Sequence, residues 1–92
     1  MNIDEILAER GKTHGKFWEH AKVSQELKEA ISCHFDTHAN SLSPQQQEAL
    51  EMICHKIARI VAGNPNFVDH WRDIAGYATL VADELEEQDE KD

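Results

Sequence analysis

SPQQQEALEMICHKIARIVAGNP, residues 43–65, decides the fold class, because it holds both ends of a helix and the face between them. Ser43 is a good cap, Pro44 suits the first helical position where an N–H is not needed, and Gln46 can close a capping box. Leu50, Ile53, Ile57, Ile60 and Val61 then recur at intervals of three and four, which lines one side of a helix with apolar groups. Gly63-Asn64-Pro65 ends it.

The same periodicity extends outward in both directions. Downstream, a helix begins after Asn66, with Asp69 three residues on, and is expected to turn Val68, Trp71, Ile74, Ala75, Ala78, Val81, Ala82 and Leu85 inward. Upstream, Phe17, His20, Val23, Leu27, Ala30, Ile31 and His34 predict a helix from Phe17 to about Phe35, followed by a polar connection over residues 36–41. A short first helix runs from Asn2 or Asp4 to Arg10, carrying Ile3, Ile6 and Leu7, and the two glycines of residues 11–15 predict a loop. No alternating run long enough for a strand is present, so the expected fold is all-α, a small antiparallel bundle of about four helices. Residues 1–85 form one domain and residues 86–92 an acidic tail. A chain this short has a modest core, and burying a remaining face in a homodimer or higher oligomer would stabilise it.

Composition narrows the function classes. The chain has 92 residues and a formal charge of −9, which repels phosphate backbones and argues against general DNA or RNA binding. A free nucleotide is less excluded, since a divalent ion can bridge phosphate to carboxylate. Mean hydropathy is −0.62 and no apolar run reaches the ~18 residues that cross a bilayer, so no membrane association is expected. Acid at the start, where a secretory signal carries base, points to the cytoplasm. Cys33 and Cys54 sit in apolar helical patterns without metal-ligand spacing and are expected to be buried, reduced thiols.

One constellation joins the third and fourth helices: Glu48, Glu51, His55, Lys56 and Arg59, then Asp69, His70 and Asp73. Acids three or four residues apart share a helix face, and two such faces side by side can hold a divalent cation with oxygen ligands. The competing reading is ordinary: Glu48, Glu51, His55 and Arg59 lie opposite the Leu50/Ile53/Ile57 side, where solvated charges normally go, and Asp69 complements the helix dipole. His34 and His38 have a chelating spacing if the helix reaches them, and His14 and His70 stand where loops and helix starts present polar groups. Phe17, Trp18, Phe67, Trp71 and Tyr77 read as packing residues, with Trp18 or Tyr77 the candidates for a pocket wall. No Walker loop, dinucleotide fingerprint, nucleophile elbow or HExxH motif occurs.

Ile6-Leu7-Ala8-Glu9-Arg10-Gly11, His14-Gly15-Lys16-Phe17, "KIARI" (residues 56–60) and "DIAGYA" (residues 73–78) together resemble an uncharacterised family of small phage and prophage proteins, over about residues 3 to 85. That resemblance implies the cytoplasm of a bacterial host cell. The Glu48-x-x-Glu51 pair followed by Asp73 is also similar to the MazG-like all-α nucleotide pyrophosphatases, whose paired helices carry Glu-x-x-Glu and Glu-x-x-Asp around magnesium. His70 stands where those proteins place the second helix's glutamate, and Asp69 is one position early. The resemblance implies hydrolysis of a nucleoside triphosphate, with Glu48, Glu51 and Asp73 catalytic, Mg2+ held by them with Asp69 or His70, Lys56 and Arg59 neutralising phosphate, and dimerisation near the site. The alternative is a non-catalytic phage accessory protein that binds a host protein through its acidic surface.

Overall fold

The third helix is where the sequence places it. A computed structural model of the chain describes residues 2–35 and 41–91. Its four helices are α1 (Ile3–His14), α2 (Phe17–Ser32), α3 (Pro44–Ala62) and α4 (Val68–Lys91). Ser43 Oγ accepts the Gln46 amide at 3.1 Å and Gln46 Oε1 accepts the Ser43 amide at 2.9 Å, so the capping box is complete. Among the described residues there is no strand, and no helix is long and apolar enough to cross a membrane.

Boundaries move where tertiary ties outweigh local preference. Asn2 caps α1, accepting the Glu5 amide at 2.8 Å, and the helix continues through Gly11 to His14 instead of stopping at Arg10. One glycine in a helix costs about 1 kcal/mol, and the last turn of α1 is held from outside by bonds to Thr13. The expected glycine loop contracts to Gly15-Lys16. At its other end α2 stops at Ser32, and the amides of His34 and Phe35 bond three residues back in a turn. His38, and with it the His34/His38 pair, lies outside the described residues. Glu86, Glu87, Asp89 and Glu90 continue α4 as exposed helix.

α3 is the central element. α2 and α4 pack against it from different sides and, among the described residues, do not pack on each other. Lys56 of α3 meets Asp73 of α4, and His55 meets Ser24 of α2, in antiparallel registers that follow from the short connections. Small side chains sit at the crossings: Ala49, Cys54 and Ala58 are the buried apolar residues, joined by buried His20, Ser24 and His70.

This interior corrects two expectations. The apolar stripes of α3 and α4 do not form the core of the single chain: Val61 is 68% exposed, Trp71 55%, Leu85 43% and Leu50 39%, while Ile53, Ile57 and Ile60 are half-buried. Conversely Glu51, His55 and Arg59, expected among solvated charges, are half-buried beside α2. The physical reason is the inward face of α2, where His20 and Ser24 offer polar partners in place of an apolar ridge. Both cysteines are free, and only Cys54 is buried, which pushes its thiol pKa up; Cys33 is exposed, against expectation.

Candidate functional site

The corner between α1 and α2 is built against the end of α3 by close backbone approach. Gly15 has φ 79°, and a Cβ there would fall on the Ala62 carbonyl. Gly63 is as tightly placed, since a Cβ on it would lie 2.5 Å from the His14 carbonyl carbon and 2.6 Å from Arg59 O. The Thr13 carbonyl accepts two bonds, from the Asn64 amide at 3.0 Å and from His70 Nε2 at 2.9 Å, which ties α1 to the α3–α4 connection and the first turn of α4. His70 also packs edge-on to His14 at 4.7 Å and against Phe67 at 4.8 Å between ring centres.

That corner roofs a cleft of about 680 Å3 between α1, α2 and α3. Its polar lining is Arg10, His14, Lys16, His20, His55 and Arg59; Leu7 and Phe17 give an apolar lip, and among the described residues no Asp or Glu lines it. Three of the nine Lys and Arg residues of a chain with net charge −9 therefore converge on one concavity. Arg59 Nε and His20 Nδ1 are buried without a hydrogen-bond partner among the described residues. Burial, then the neighbouring Arg10, holds Arg59 below its ordinary pKa against the weaker opposing pull of Asp73 and Tyr77. Burial, then Arg59, lowers His14 to about 4 and His55 to about 4, and moves His20 the same way. These imidazoles are thus neutral at pH 7, so the fixed positive charge comes from Arg10, Lys16 and Arg59. Such a site accepts an anion with several oxygens, which an arginine fork pairs with geometrically.

The acids singled out from sequence are elsewhere. Glu48 is exposed, beside Tyr77, Leu80, Val81 and Glu84 of α4, and Glu51 is half-buried toward Gln25, Lys28 and Glu29 of α2. Asp73 is held by Lys56 at 2.9 Å, and that hydrogen bond keeps its carboxyl below the usual range. Since Lys56 marks the level of Asp73 on α3, Glu51 is ~7.5 Å and Glu48 ~12 Å further along the axis at 1.5 Å per residue. Asp69 is exposed, and His70, 1% exposed, spends Nε2 on Thr13. Among the described residues no three His, Cys, Asp or Glu side chains come together as a metal-binding set. Within one chain Glu48, Glu51 and Asp73 therefore do not meet around one point.

Of the phosphate candidates, Arg59 reaches the cleft and Lys56 is engaged with Asp73. Sequence reasoning did not place Arg10, Lys16 or His20 at a site. Their only common signal is that Arg10 and Lys16 flank a glycine-containing corner, which says nothing of the helix it folds onto.

No curated protein and no solved structure matches the chain. A family model described as DUF6378, a domain of unknown function, matches residues 3–85, and the chain belongs to that family.

Proposed function

We propose that this protein binds a nucleotide, with the phosphates in the cleft at the α1–α2 corner. The observation that carries the reading is the convergence of Arg10, Lys16 and Arg59 on a concavity lined by no carboxylate among the described residues, in a strongly acidic chain. Nucleotide is the class that the MazG-like resemblance implies, and the cleft supports it with both a cationic floor and the apolar lip of Leu7 and Phe17 against which a base can rest. The metal-dependent pyrophosphatase of phage nucleotide metabolism is the further step of that reading. It asks for Glu48, Glu51 and Asp73 around one ion, an arrangement that a single chain keeps apart, so the proposal is for binding, with pyrophosphate release as a measured arm.

Titration calorimetry with nucleoside triphosphates, inorganic triphosphate and the bare nucleosides, with and without magnesium, tests it. Triphosphates bind and nucleosides do not. Arg59→Gln weakens binding by about tenfold or more, as loss of a charge-assisted contact does, and Lys22→Gln, on exposed α2 surface paired with Glu26, leaves it unchanged. Absence of binding at millimolar triphosphate, with the chain folded, overturns the proposal.

A second reading, an accessory protein binding a host protein through acid, is supported by α4, whose last turns expose Glu86, Glu87, Asp89 and Glu90 on continuous helix. Replacing these four by glutamine abolishes salt-sensitive capture of that partner if the reading is right, and leaves triphosphate binding intact.

A further inference from the structure

We infer that the outer face of α3 and α4 is the interface with a second copy of this chain, and that two copies meet there as an antiparallel four-helix bundle. The inference begins with area. The chain exposes 6905 Å2, whereas a compact monomer of 10.5 kDa exposes about 5,400 Å2. The radius of gyration is 15.8 Å against about 12 Å for a compact domain of this length. The acidic end of α4 accounts for some of that excess. The exposed apolar side chains follow a pattern. Leu50, Ile53 and Ile57 lead to Val61 on α3 in steps of three and four, while Trp71 and Leu85 bound a run of alanines on α4 whose steps alternate between four and three. That spacing is the seam of helices packed at about 20°.

The stripes belong to neighbouring antiparallel helices, and among the described residues Leu50, Val61, Trp71 and Leu85 stay exposed while Ile53 and Ile57 are half-buried. The groups α3 turns toward its neighbours are different ones: His55 toward Ser24 of α2, and Lys56 toward Asp73 of α4. Leu50, Ile57 and Val61 lie on the remaining side. Ala75, Ala78 and Ala82 on α4 leave room for close approach. Doubled, the excess sets an upper bound of about 3,000 Å2, and with half of it assigned to the acidic end of α4 two chains still bury about 1,500 Å2, the size of a standard protein interface. A second copy satisfies the area, apolar character and helical register at once, because a two-fold axis sets each stripe against its own kind. The cleft, on the His55/Arg59 side of α3, is left open by this packing.

Sedimentation equilibrium of the full chain tests the interface. The expected mass is about 21 kDa, twice 10.5 kDa, with a melting temperature that rises with protein concentration. Ile57→Asp raises the dissociation constant about 100-fold or more, as a buried, unpaired charge does. Should that variant unfold, Ala78→Arg gives the same readout, since Ala78 is exposed in the single chain and its replacement disturbs no packing there. Trp18→Glu, an exposed α2 position, leaves the mass unchanged. A 10.5 kDa species at about 100 μM with a concentration-independent melting temperature refutes the inference, as does a dimer broken by Trp18→Glu and indifferent to Ile57→Asp and Ala78→Arg. Triphosphate binding by a monomeric Ala78→Arg keeps the two proposals separable.

Discussion

Replacing the four glycines one at a time by alanine divides them into two pairs with opposite effects. Gly11 and Gly76 lie inside helices, and a Cβ on either meets nothing within 4 Å. Alanine there gains helix propensity and stabilises by about 0.5–1 kcal/mol. Gly15 differs on two counts: φ 79° with ψ −178° is a region other residues occupy at a cost of about 1–3 kcal/mol, and the new Cβ would sit on the Ala62 carbonyl. Gly63 has an ordinary negative φ, so only space is at issue, and the atoms in the way, His14 C, Arg59 O and Gly15 N, are all backbone. No rotamer change relieves that contact; the α1–α2 corner must lift, which costs about 1–3 kcal/mol as overpacking does. The two pairs should therefore differ by about 2–4 kcal/mol, a large share of the ~5–14 kcal/mol that stabilises a domain of this length. Urea unfolding followed by far-UV circular dichroism at one fixed protein concentration reads this as midpoints separated by about 1 M or more. Midpoints for Gly15→Ala and Gly63→Ala at or above that of Gly11→Ala would refute the backbone-contact account of the corner.

Three further outcomes follow from the interior and the caps. His14 and His55, held at about 4 in the folded chain against 6.5 when free, make the unfolded state bind more protons between those values, so stability is full above pH 6.5 and falls as the pH drops toward 4; equilibrium urea midpoints across that window check it, and a flat profile contradicts it. Ser43→Ala removes the acceptor of the Gln46 amide and lowers stability by about 1 kcal/mol, readable by the same unfolding assay. Of the two thiols, exposed Cys33 reacts with a disulfide reagent at once and buried Cys54 only on unfolding, so one equivalent is released in buffer and two in denaturant.

How much was legible in the sequence depends on which contacts define a feature. α3 was readable at both ends because its signals are local: Ser43, Pro44, Gln46 and Gly63 act within a turn of themselves. The end of α1 was not, because the bonds that carry it past Gly11 come from Asn64 and His70, fifty or more residues away. Amphipathic spacing correctly grouped Leu50, Ile53, Ile57 and Val61 on one side, but periodicity reports which residues leave water together and not which chain covers them. The inward assignment of Trp71 and Leu85 missed for that reason. Of the candidate site, His14, His55 and Arg59 were named, Arg59 as the phosphate partner that the resemblance implies; Arg10, Lys16 and His20 join them only through the fold, since their nearness to α3 depends on Gly15 and Gly63 letting two backbones touch.

The doubly used carbonyl of Thr13 makes the roof of the cleft an all-or-none element. One oxygen holds both the Asn64 amide and the His70 ring, so α1 cannot swing away by breaking first one tether and then the other; movement of that single atom releases both and strips a buried imidazole of its acceptor. Amide exchange at Asn64 should therefore report opening of the α1 lid directly, slowing when a guest holds the lid shut and quickening in step with the first turn of α4 when it lifts.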